Sequence, residues 1–97
     1  MTNKAHSAVV NRILTRYQGT LADDGAIDII AGEMLIAVET TATLPTNITQ
    51  ILALTGQRYV AVTNQESLVE ALRLTEGSGV GVMDARGEIV RAAETTT

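Results

Sequence analysis

The stretch "RYVAVT", Arg58 to Thr63, constrains this chain more than any other. Tyr59, Val60, Ala61 and Val62 are apolar at odd and even positions alike. Successive strand residues point to opposite faces, so a strand with this pattern has no face suited to water. Both of its faces must be covered, and the flanking segments supply the covers. Before it, "TLPTNITQILALTG" carries Ile48, Ile51, Leu52 and Leu54 at helical spacing, with Thr46 or Asn47 to cap the helix and Gly56 to stop it. After it, Thr63 and Glu66 fit a Thr-x-x-Glu capping box. Leu68, Val69, Ala71, Leu72 and Leu74 form an apolar surface, and Gly77 ends that helix. A strand "VGVMD", a turn near Arg86-Gly87 and a short strand "EIVRA" follow.

The first half reads differently. Residues 3 to 18 form a helix, with Val9, Val10, Ile13, Leu14 and Tyr17 on one face and Arg12 and Arg16 off it. Asn3 or Ser7 caps its start and Gly19 ends it. "TLADDGAIDII" gives two extended pieces about a turn at Asp23-Asp24-Gly25. "IDII" and "MLIAVETT" form a second hairpin around "AGE". The prediction is an α/β fold: a mixed central sheet flanked by helices, with an antiparallel meander first and later strands added through helical crossovers. Residues 93 to 97 form a frayed tail.

With 97 residues the chain is one domain. Phe and Trp are absent and Tyr17 and Tyr59 are the only aromatics, so the core is aliphatic. A base-stacking platform for single-stranded nucleic acid is disfavoured on the same ground. Cys is absent, which excludes disulfides, thiolate zinc sites and a cysteine nucleophile. The formal net charge is −4, and Lys4 is the lone lysine beside six arginines. Broad electrostatic binding to nucleic acid is therefore disfavoured, and DNA could be met only through a local cluster such as Arg12 and Arg16. No apolar run reaches membrane-spanning length, and "MTNKAHS" lacks a signal-peptide core. A soluble cytoplasmic protein is expected.

Two acids interrupt the hairpin "IDIIAGEMLIAVETT" where a strand prefers Val or Ile: Asp28 and Glu39. If "AGE" is the turn, residues whose numbers sum to about 64 to 66 face each other, and the acids lie close across the ladder. Both would be partly desolvated and would repel. A divalent cation between them resolves that cost, and Mg²⁺ or Mn²⁺ suits carboxylate and carbonyl oxygens. The Thr40 carbonyl is a candidate third ligand. The plainer alternative is a pair of strand acids that keep an edge soluble, as Glu33 does in the turn. His6, the lone histidine, reads as a surface residue. Gln50 either faces the acids or sits in solvent, and the latter is preferred. "GSGVGV" precedes a strand, so it is no phosphate loop. Asp84 reads as turn chemistry.

An acid on one strand, a hairpin, and an apolar run ending in Glu-x-Lys form the signature of the PD-(D/E)XK nuclease superfamily. Ala26 to Thr41 resembles its core, with Asp28 at the first acid, Glu39 at the second and Thr41 at the lysine position. "RYVAVTNQESLVEALRLTEGSGVGVMD" is similar to the tails of small archaeal and viral members and of Holliday junction resolvases. The resemblance implies a restriction-endonuclease-like αβββαβ core over about residues 5 to 63, extended by a C-terminal helix and strands. It implies Asp28, Glu39 and Thr41 as the catalytic positions and Asp28, Glu39 and Thr40 as the metal ligands. The implied activity is hydrolysis of DNA phosphodiesters with Mg²⁺ or Mn²⁺, by a homodimer. The chain departs from the pattern at Thr41, where Lys4 or Arg58 would have to substitute, and at Ile27, where the motif has proline. Its first helix has Lys4, His6 and Asn11 in place of the glutamate many members carry there. A non-catalytic module on the same fold, holding a protein partner by a sheet edge or aliphatic patch, is the alternative. Third is half of a CBS-like nucleotide-sensing module over "VTNQESLVEALRLTEGSGVGVMDARGEIV".

Overall fold

Six strands form one mixed sheet, ordered across the sheet as they occur along the chain. This is seen in a computed structural model that describes residues 4–94. The elements are α1 (Lys4–Tyr17), β1 (Thr20–Asp24), β2 (Ile27–Ala31), β3 (Met34–Glu39), α2 (Leu44–Leu52), β4 (Gln57–Val62), α3 (Gln65–Leu74), β5 (Gly81–Met83) and β6 (Ile89–Arg91). Strands β1, β2 and β3 form the antiparallel meander. Strands β3, β4 and β5 run parallel, and β6 returns antiparallel to β5. The expected α/β class, mixed sheet and helical crossovers are all present.

Strand β4 is buried on both faces, as its unbroken apolar run requires. Tyr59 and Ala61 point to the α1 side, where Val9, Val10 and Ile13 pack on Ile29, Ile36, Val38 and Met83. Val60 and Val62 point to the other side, under Leu44, Ile48 and Ile51 of α2 and Leu68 and Ala71 of α3. The crossovers β3–α2–β4 and β4–α3–β5 step the same way along the sheet. Right-handed connections then put both helices on one face and leave the other to α1. Residues 65–91 thus complete the sheet begun by the first half and share both of its cores. Gly81 is required by packing: a Cβ there would meet the Tyr59 ring and would lie 2.6 Å from the Ala93 amide nitrogen.

The helix ends depart from the sequence reading in instructive ways. Gln18, not Gly19, takes the left-handed conformation after α1 (φ 52°), while Gly19 N–H bonds Leu14 O at 3.0 Å. Gly19 is glycine because a Cβ there would stand 2.9 Å from Ile29 Cγ2. Helix α2 starts earlier than expected, with Thr43 as N-cap and Pro45 in the first turn, where proline's missing N–H costs nothing. It also ends at Leu52, before Gly56. Helix α3 is capped by Asn64, whose Oδ1 accepts from Ser67 N–H at 2.7 Å, one residue later than the expected Thr63 box. The expected fray does not hold for Ala93 and Glu94. Ala93 N–H donates to Tyr59 Oη at 3.1 Å and Glu94 N–H to Gly79 O at 2.8 Å. Asn3 and residues 95–97 lie outside the described residues.

Candidate functional site

Strand β2 parts from both of its neighbours at Asp28. Toward β1, Leu21 pairs with Ile29 and Asp24 with Ile27, so Ala22 and Asp23 bulge opposite Asp28. Toward β3, Ile29 pairs with Ile36, but the pairing stops there. In a continued ladder Ile27 would face Val38 and accept its N–H. The Asp28 carboxylate takes that N–H instead, through Oδ2 at 2.8 Å. Asp28 is held at this gap by a backbone donor, and its other oxygen, Oδ1, lies 3.7 Å from His6 Nε2 of α1.

Glu39 reaches the gap from the end of β3. It is only 3% exposed. Its Oε1 accepts from Asn47 Nδ2 at 2.8 Å, across the first turns of α2. Burial raises the Glu39 pKa above the ordinary value, against the hydrogen bonds from Asn47 and Thr43. The Asp28 charge adds to the rise and His6 opposes it. Asp28, Glu39, His6, Thr43, Asn47 and Gln50 line one polar cleft of about 150 Å³. The cleft lies at the carboxyl end of β3, on its β2 side, and β3 runs parallel to β4. In open α/β sheets that end is where ligands bind. The expectation that Asp28 and Glu39 come together holds.

Other anticipated residues stand elsewhere. The Thr40 carbonyl is not a free ligand, because Thr43 N–H and Leu44 N–H donate to it at 3.2 and 3.0 Å. It closes the turn that starts α2. Thr41 lies past the end of β3 and turns toward α3. Its hydroxyl pairs with Ser67 Oγ at 2.7 Å and accepts from Asn64 Nδ2 at 2.9 Å. Because β3 ends at Glu39, the alternation that would put residues 39 and 41 on one face is lost. Arg58 is buried near the opposite end of the sheet, level with Leu35. It donates to Leu52 O, Leu54 O and Ser78 O, gathering carbonyls at the end of α2 and beyond α3. A guanidinium suits the negative end of a helix, and Arg58 is structural there. Arg12 and Arg16 are exposed on α1, and their guanidiniums also hold the fold. They donate to Ala85 O and Arg86 O, and with Tyr17 on Gly87 O they bind α1 to the β5–β6 turn. Asp84 caps that turn as expected, accepting from Arg86 and Glu88 N–H. Lys4 is exposed, two residues before His6.

Sequence reasoning missed Asn47 and His6 as site residues. The sequence offers Thr46 or Asn47 as the cap of α2; the earlier start of the helix at Thr43 leaves Asn47 to bind Glu39. His6 faces Asp28 because α1 crosses the sheet with its first turn over β2. Gln50 is exposed yet lines the cleft, so the solvated reading captured half of its position.

The two carboxylates suit a hard divalent cation. Among the described residues no three His, Cys, Asp or Glu side chains are gathered to hold an ion by themselves. Mg²⁺ nevertheless commonly uses one or two carboxylates and completes its shell with water and phosphate. A cation here would also favour the charged form of Glu39, which burial penalises.

Comparison with protein-family models, curated proteins and solved structures returned no match. Among the described residues no helix is long and apolar enough to cross a membrane.

Proposed function

We propose that the Asp28–Glu39 cleft binds Mg²⁺ or Mn²⁺ and, through it, a nucleic-acid phosphodiester, as a nuclease-like site of the PD-(D/E)XK type. One observation carries this reading: β2 leaves its ladder at Asp28, so acids from two strands border one polar cleft in which Glu39 is buried at an electrostatic cost. Strand bulges of this kind recur beside active sites. When bound, the cation would supply Lewis acidity and a more acidic water. The chain's own residues then have definable tasks. Val38 N–H fixes the Asp28 carboxylate, and Asn47 fixes that of Glu39. His6 is the basic side chain beside Asp28, on the helix where the superfamily expects an acid. A cytoplasmic homodimer belongs to the same reading, and sedimentation equilibrium tests the pairing.

The test is cleavage of linear and branched DNA with Mn²⁺ by wild type beside Asp28→Asn. Cutting by wild type that the variant lacks supports a working site. A second reading, a non-catalytic module with a protein partner, is favoured by a specific feature: among the described residues no lysine or arginine lines the cleft in place of the motif lysine. Mn²⁺ binding without cutting of any DNA would select that module.

A further inference from the structure

The polar cleft does not stand alone. Two larger cavities open on either side of it. One, of about 360 Å³, is walled by Ile30, Leu35 and Leu54, and shares Gly25, Ala26 and Gln50 with the cleft. The other, of about 480 Å³, lies on the α1 side between Val10, Asn11 and Leu21, and shares His6 and Asp28 with the cleft. Ala22, in the β1 bulge, borders both outer cavities. The three cavities, apolar on the α2 side, acidic in the middle and mixed on the α1 side, adjoin through these shared residues around the β1–β2 end of the sheet. The two outer ones are open to solvent, where Ile30 is 41% and Leu21 70% exposed.

Charge narrows what can lie in them. Among the described residues no lysine or arginine borders any of the three cavities, and His6 is their only basic side chain. Arg12, Arg16, Arg58 and Arg91 are bound to oxygen atoms of the fold, and Arg73 to Glu70, while Lys4 and Arg86 are exposed but line none of the three cavities. A duplex is held chiefly by many cationic contacts to its phosphates, and these cavities offer no lysine or arginine for them. A single phosphodiester held by a cation at the acids, with a nucleoside in each flanking cavity, matches the sequence of polarities.

Resting on the function proposed above, we infer that the substrate class is a short single-stranded phosphodiester, one dinucleotide step seated across Asp28 and Glu39, rather than duplex DNA. The bases sit against aliphatic walls, since no aromatic side chain lines either cavity. Affinity is therefore modest and depends on the cation.

Binding of a thymidine dinucleotide, a short oligothymidylate and a duplex of equal length is measured by calorimetry with the full chain in Mn²⁺, over a range of KCl. Leu21→Glu and Ile30→Glu change exposed positions, so the fold is retained, and neither residue is an acid of the cleft. The expected result is dinucleotide and single-strand binding with a log–log salt slope of about −1, weakened about five- to tenfold by each variant. Tighter duplex binding with a slope of several, unaffected by either variant, overturns the inference and leaves the cation–phosphate reading standing. Mn²⁺ titrated alone separates the two. If it neither binds wild type nor distinguishes it from Asp28→Asn, the functional reading fails first and the inference fails with it.

Discussion

Replacing Asp28 separates its structural work from its proposed ligand work. The N–H that it accepts belongs to Val38, which is 2% exposed and has no partner on the β2 side at that point. Asp28→Ala leaves that donor buried and unbonded. Loss of a hydrogen bond to a charged group costs about 1.5–3 kcal/mol. Relief of the Asp28 repulsion on Glu39 offsets part of this, so a net loss of about 1–3 kcal/mol is expected. For a domain of this size each kcal/mol lowers Tm by about 4–8 °C. Asp28→Asn keeps an oxygen acceptor for Val38 and should lose less than about 1 kcal/mol. Urea denaturation followed by circular dichroism measures both, with unchanged m-values expected. An Asp28→Ala protein as stable as wild type would refute the reasoning, because it would mean that β2 and β3 close their ladder without the side chain. The comparison also decides how activity data are read: loss of function in Asp28→Ala mixes unfolding with loss of a ligand, and Asp28→Asn does not.

Glu39 gives a pH signature. Its folded pKa is raised above the ordinary value of 4.5, so its contribution to stability is full below that value and is lost as pH rises through the raised one. Glu39→Gln removes this loss, and its stability relative to wild type should grow from acid to neutral pH; a constant difference would contradict the burial argument. Asn47→Ala should push the Glu39 pKa further up, read by NMR titration of its side-chain carboxyl, and cost about 1–3 kcal/mol by removing a hydrogen bond to a buried acid. Arg58→Met should cost about 2–3 kcal/mol or more, since three carbonyls lose their donor, while leaving Mn²⁺ binding unchanged; weakened Mn²⁺ or phosphate binding at retained stability would put Arg58 back in the site. Gly81→Ala should destabilise by about 1–3 kcal/mol or prevent folding, because the Tyr59 ring and the Ala93 backbone bound the space from two sides.

Much of the fold was legible because it rests on local pattern. The unbroken apolar run Tyr59–Val62 demanded covers on both faces. The period of α1 put Val9, Val10 and Ile13 on the face that is buried. Turn glycines at 25, 32 and 87 lie where left-handed backbone is needed. Helix caps were less legible, because several polar residues compete for each cap and one residue of shift changes what the others are free to do. Asn47 is the case that matters: once Thr43 caps α2, Asn47 stands a turn inside and faces Glu39.

The sequence by itself determined the α/β class, the element order and the approach of Asp28 to Glu39, because hydrophobic period and hairpin register are properties of neighbouring residues. Only the tertiary structure decided which polar groups the two acids meet. It brought His6 to Asp28 across the sheet, spent the Thr40 carbonyl on the α2 turn, drew Thr41 to α3 and buried Arg58 under the ends of two helices. These outcomes depend on where whole elements dock. A side chain's few ångströms of reach are settled by packing over the entire sheet, and no local spacing records it.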